Sequence, residues 1–133
     1  MSLYLLDTNI LSDLIRNPTG VAARRVEQRK PKELCTSLVV AAELRYGCAK
    51  KASEKLSSRV ESLLETLTVL PLEPPVDREY GRIRAELEAA GQIIGSNDLL
   101  IAAQALALGL TLVTDNMREF SRIPGLAIEN WLK

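Results

Sequence analysis

No histidine occurs among the 133 residues, and that absence removes much chemistry at once. Without imidazole there is no His general base, no Ser-His-Asp triad and no histidine-ligated zinc. The two cysteines, Cys35 and Cys48, are too few for a four-ligand zinc site and read as small buried packing groups. Aromatic residues make up 4% of the chain, so base stacking is not expected to dominate any recognition of nucleic acid. Net charge is lacking too: 17 Lys and Arg balance 17 Asp and Glu. With no global field to draw in a polyanion, nucleic-acid binding has to come from local patches or bound cations. No apolar run approaches the roughly 18–20 residues of a membrane span, and the opening Met1-Ser2-Leu3-Tyr4 carries no basic leader. A cytoplasmic, reduced protein is expected.

What is present is an alternation of short apolar runs and amphipathic stretches. Leu3–Leu6 reads as a strand buried on both faces, ending at Asp7, with Asp7-Thr8-Asn9 offering cap residues for a helix over Ile10–Arg16. A charged helix over Val21–Lys30, a strand at Leu34–Ser37 and a helix from Leu38 to about Lys50 follow. Leu56, Val60, Leu63, Leu64 and Leu67 recur at helical spacing before a strand-like run at Thr66–Leu70. Val76–Ala90 is a helix stopped by Gly91; Ser96 caps the nearly all-apolar helix Asn97–Leu108, which Gly109 ends. Leu110–Val113, a helical turn at Asn116–Phe120 and a last strand at Ala127-Ile128 complete the pattern. Strands separated by helices imply an α/β fold of three layers, α/β/α, around a central, mainly parallel sheet. Residues 1–133 read as one domain, without repeat or linker.

Ligand sites in open parallel sheets form beyond the carboxyl ends of the strands, and acids fall there. Asp7 ends the first strand, and Asp115 follows the Leu110–Val113 strand by one residue. Glu43 lies in the second turn of a helix that leaves another strand, and Asp98 opens the apolar helix. Each has a plain alternative: Asp7 as a helix cap, Asp98 as a complement to the helix dipole, Glu43 as a solvated helix residue, Asp115-Asn116 as an ordinary turn. Converging carboxylates instead require a hard cation, and oxygen-only ligands select magnesium or manganese.

The run Leu5-Leu6-Asp7-Thr8-Asn9 resembles the opening of PIN-domain nucleases. Ala42-Glu43-Leu44-Arg45-Tyr46-Gly47, the stretch from Ile94 through Ser96-Asn97-Asp98 to Ala103, and Leu112-Val113-Thr114-Asp115-Asn116 look like the further motifs of that family, in order and spacing. The close, Glu119-Phe120, Ile123-Pro124-Gly125-Leu126 and Glu129-Asn130-Trp131, is similar to VapC-type toxins of toxin–antitoxin pairs. The resemblance implies a PIN-like fold and an endoribonuclease that cuts RNA, commonly a transfer RNA. It further implies silencing by a cognate VapB-type antitoxin, and a homodimer. Asp7, Glu43 and Asp98 match the family acids. The fourth position does not match cleanly, since the family acid often falls at the register of Asn116. Asp115 ranks first there on charge, ahead of Asn116 and Glu119, with Thr8 and Thr114 as accessory groups that orient water or phosphate.

The expected chemistry is Mg²⁺-assisted phosphodiester hydrolysis, with Mn²⁺ able to substitute, leaving 5′-phosphate and 3′-hydroxyl ends. The ion would hold to Asp7, Asp98, Glu43 and Asp115 and replace the missing histidine. Two rivals stand beside this. One is a non-catalytic PIN-like module that binds nucleic acid or a partner. The other is a phosphatase-like hydrolase, weakened because the residue two after Asp7 is Asn9 rather than an acid. Two basic runs, Arg24/Arg25/Arg29/Lys30/Lys32 and Lys50/Lys51/Lys55/Arg59, are alternatives for phosphate contact or simply solvated helix faces. The stripe Leu56–Val60–Leu63–Leu64 is either core or part of a face that takes a partner helix.

Overall fold

In the computed structural model, which describes residues 2–133, five short strands form one all-parallel sheet in the order β3-β2-β1-β4-β5. The strands are β1 (Tyr4–Leu6), β2 (Leu34–Ser37), β3 (Thr68–Leu70), β4 (Thr111–Val113) and β5 (Ile128–Glu129). Helices α1 (Thr8–Arg16), α2 (Val21–Glu27), α3 (Leu38–Lys51) and α4 (Glu54–Glu65) lie between the first three strands. Helices α5 (Val76–Ala89) and α6 (Ser96–Leu108) carry the chain from β3 back across to β4, and α7 (Met117–Phe120) precedes β5. The parallel layered architecture expected from the alternation is the one observed, with no antiparallel strand among the described residues.

The strands are apolar because helices cover the sheet on both faces. Leu5, Leu6, Cys35, Leu112 and Val113 are fully buried at the centre, and α6 adds Ile101, Ala102, Ala103 and Ala105. The small side chains of α6 let it pack closely, which explains its even apolarity. It ends where Gly109, at φ +66°, adopts the left-handed conformation that closes a helix. Both cysteines are buried and free. Several element ends shift by a residue or two from the sequence expectation, and two of the differences bear on the site and its surroundings. The charged helix ends at Glu27, so Lys30 lies outside it. The cap of α6 is Gly95, not Ser96: Leu99 N–H donates to the Gly95 carbonyl, Ser96 is the first helical residue, and Asp98 sits in the first turn.

From β1 the chain builds outward through β2 to β3, then crosses to β4 and β5 on the other side. The order therefore reverses between β1 and β4, and a crevice opens at their carboxyl ends. Register sets what faces that crevice. Leu6 pairs with Val113, so the next residues, Asp7 and Thr114, emerge side by side, with Asp7 N–H donating to the Val113 carbonyl at 2.9 Å.

Candidate active site

Asp7 is 4% exposed, an unusual setting for a carboxylate, and both its oxygens are engaged. The amide of Thr8, the first residue of α1, donates to Oδ1 at 2.8 Å from the N-cap position that Asp7 holds, and the fully buried Thr114 hydroxyl donates to Oδ2 at 2.8 Å. Burial pushes the Asp7 pKa above the ordinary carboxylate value, and nearby Glu43 adds to the rise; the Thr114 and Thr8 hydrogen bonds oppose it. The plain reading of Asp7 as a cap is thus true, and it occupies one oxygen only.

Glu43 reaches the crevice from the second turn of α3. The Thr8 hydroxyl donates to its Oε1 at 2.6 Å, and the Asn97 amide approaches Oε2 at 3.5 Å. Asp98 is partly buried on the first turn of α6, and its pKa is raised to about 6. Desolvation is the largest cause, followed by the negative charges of Asp7, Glu43 and Glu119. Four carboxyl groups from three helices and a strand end therefore share one opening. They face one another without closing up: among the described residues no three acidic or thiol side chains form a ready-made metal cage.

At the fourth position the three candidates, Asp115, Asn116 and Glu119, sit in different surroundings. Asp115 is exposed, its Oδ1 accepts from the Asn130 amide at 3.0 Å, and it is absent from the charges acting on Asp98. Glu119 supplies that charge from α7, held by the Asn116 side-chain amide at 3.3 Å. The cause is the loop after β4. The Asn116 backbone N–H donates to the Thr114 hydroxyl at 3.0 Å, a tight turn that leads directly into α7. Thr8 and Thr114 act as groups that orient carboxylates rather than as free hydroxyls.

Sequence reasoning alone does not single out Asn9 and Asn97. Asn9 ties the start of α1 to the residues that follow β4: its amide donates to Thr114 Oγ1 at 3.3 Å, and its Oδ1 accepts from the Asp115 backbone N–H at 3.0 Å. The signal for each is adjacency, Asn9 two residues from Asp7 and Asn97 next to Asp98, in segments where polar side chains interrupt apolar runs.

A parallel sheet with carboxylates gathered at its switch point is the arrangement of acid-cluster hydrolases, nucleases among them. Residues 4–126 match the PIN domain, and the chain belongs to that family, in its VapC group. It is 41% identical over 133 residues to Ribonuclease VapC2 of Rickettsia felis, covering 98% of this chain and 99% of the relative. It is 37% identical over 129 residues to the tRNA(fMet)-specific endonuclease VapC of Salmonella typhimurium, covering 96% and 97%. The crystal structure of DNA-bound VapBC from Salmonella typhimurium contains a chain that superposes with a TM-score of 0.93 at 37% identity, covering 98% and 99%.

Proposed function

We propose that this protein is a VapC-type toxin, an endoribonuclease that hydrolyses RNA phosphodiesters at the Asp7–Glu43–Asp98 cluster and is inhibited by a cognate VapB-type antitoxin. The observation that carries this reading is the convergence of Asp7, Glu43 and Asp98 at the switch point between β1 and β4, where burial and then the charges of Asp7, Glu43 and Glu119 raise the Asp98 pKa to about 6. Such an excess of negative charge suits a cation, and the donors are all oxygen, which fits a hard divalent ion. Asp7, Asp98 and Glu43 would hold Mg²⁺, with Mn²⁺ able to substitute and Glu119 as the fourth acid in preference to Asp115. When bound, the ion supplies activation of water and neutralisation of phosphate charge.

The chain's own residues do the orienting. Thr114 favours the ionised form of Asp7 against its burial. Thr8 and, more loosely, Asn97 donate to the two different oxygens of the Glu43 carboxylate. With an oxygen-donor cluster suited to a hard ion, water is taken as the attacking group, and the products then carry 5′-phosphate and 3′-hydroxyl ends. The relatives named as tRNA(fMet)-specific endonucleases make a transfer RNA the substrate of choice. A homodimer belongs to the same reading and is supported by the exposed apolar side chains of Ile93 and Leu108. So does a cytoplasmic location; among the described residues no helix is long and apolar enough to cross a membrane.

The test is cleavage of labelled tRNA(fMet) by the purified chain in Mg²⁺ and in excess chelator. Cleavage is expected only with the ion, and Asp7→Asn or Asp98→Asn should reduce it by on the order of 100-fold or more. Full activity in either variant, or in chelator, would count decisively against the proposal.

A further inference from the structure

Helices α1 and α3 run side by side away from the acid cluster, joined at their near ends by the Thr8–Glu43 hydrogen bond. Four-residue steps along each keep to one face: Thr8, Ser12 and Arg16 on α1, and Glu43, Gly47 and Lys51 on α3. All six line a single cavity of about 240 Å³. Gly47 leaves the middle of the α3 wall bare, since a Cβ there would meet nothing within 4 Å. The cavity is thus acidic at one end and basic at the other, with Arg16 and Lys51 two turns, about 12 Å along each helix, from the acids. Arg16 also lines a second and larger cleft of about 630 Å³, with Arg59 of α4.

These bases are unengaged. Among the described residues every ion pair uses Arg45, Arg82 or Arg84, and no hydrogen bond occupies the side chains of Arg16, Lys51 or Arg59. The other basic run is in part committed to the fold: Arg25 donates to the Asn130 and Lys133 carbonyls, and Arg29 lies 4.2 Å from the Trp131 ring centre. A base in the last turn of a helix also offsets its dipole. That effect does not require the bases of two helices to meet at one cavity leading from the acids.

We infer that Arg16 and Lys51, continued by Arg59, form a phosphate-binding track for the RNA strand on one side of the bond to be cut. The inference rests on the nuclease reading and deepens it. About 12 Å corresponds to roughly three stacked nucleotides at 3.4 Å each, so the track holds backbone phosphates a few nucleotides from the reaction. Such contacts position the strand and carry no base preference.

The test uses fluorescent tRNA(fMet) and the Asp7→Asn protein, so that binding is read without cleavage. Adding Arg16→Gln and Lys51→Gln should weaken binding several-fold and lower the slope of log K against log[salt] by about 1 for each phosphate no longer neutralised. In the cleaving protein the same pair should raise KM and leave kcat within about twofold. Lys32→Gln, in the other basic run, should change neither. If the wild type binds and cleaves tRNA but slope and KM do not move, the track is wrong and the nuclease reading stands. If RNA binding is unchanged while a co-expressed antitoxin is released, the bases serve an acidic protein segment and the inference is overturned. If the wild type neither binds nor cleaves RNA in Mg²⁺, the nuclease reading falls and the track with it.

Discussion

The hydroxyl of Thr114 serves three neighbours: it donates to Asp7 and accepts from Asn9 and from the Asn116 backbone N–H. Thr114→Val keeps the shape and removes all three bonds, leaving a buried carboxylate oxygen under-satisfied. Denaturant unfolding should show a loss of about 1–3 kcal/mol. The acidic limb of the pH–rate profile should also move upward, because the bond removed is one that lowers the Asp7 pKa. A stability loss without any change in the profile would separate Thr114 from the chemistry. Asp98 gives the opposite sign. Its pKa is about 6 in the fold against 3.8 for a free carboxyl, so between those values the native state binds the extra proton and stability falls as pH rises. Asp98→Asn removes the penalty. The variant should match the wild type near pH 4 and exceed it above pH 6, by about 1 kcal/mol once its partial exposure is discounted. A variant less stable than the wild type at pH 7 would contradict the excess of negative charge at the crevice. At the fourth position, Glu119→Gln should cost about 10–100-fold in cleavage and Asp115→Asn no more than a few-fold. The reverse order would restore the assignment made on charge alone.

Helix α2 shows how an element can look functional and act structurally. The basic run that starts on it and continues past Glu27 suggests a polyanion site, but Arg29, just beyond the helix, lies over both Trp131 and Tyr4, at 4.2 and 5.0 Å, and Arg25 holds the C-terminal carbonyls. Arg29→Ala should lower stability by about 1–2 kcal/mol in denaturant unfolding without altering the salt dependence of RNA binding. A changed salt slope with unchanged stability would return the run to the substrate. The stripe on α4 divides in the same way. Val60 and Leu64 are buried, while Leu56 and Leu63 are partly buried and line the clefts beside α1. Local spacing identifies the α4 stripe, because a helix's burial follows its own period. It cannot identify the role of α2, because the partners of Arg25 lie 105 and 108 residues away.

At the scale of the whole molecule, strand order converts separate residues into a site. Asp7 and Thr114 are distant in sequence and adjacent in space because β1 and β4 flank the point where the sheet changes direction. Most of this is legible in the sequence. Apolar runs ending in Asp7 and Ser37, and the even apolarity of α6, specify a doubly covered parallel sheet. Glu43 and Asp98 then follow from helices that start at strand ends. That Glu119 rather than Asp115 acts on Asp98 is not legible, since it depends on the turn made by the Thr114–Asn116 bond ahead of α7. Nor is the path of unengaged bases, which needs α1 and α3 to be known neighbours.

In the proposed chemistry, carboxylates alone, with a cation, replace the missing histidine and direct water at the phosphodiester. The most direct measurement is the end chemistry of tRNA(fMet) fragments made by the purified chain in Mg²⁺. Ends bearing 5′-phosphate and 3′-hydroxyl are predicted, lost together in Asp98→Asn. Ends bearing 2′,3′-cyclic phosphate would contradict the proposal, because they would make the ribose hydroxyl the nucleophile.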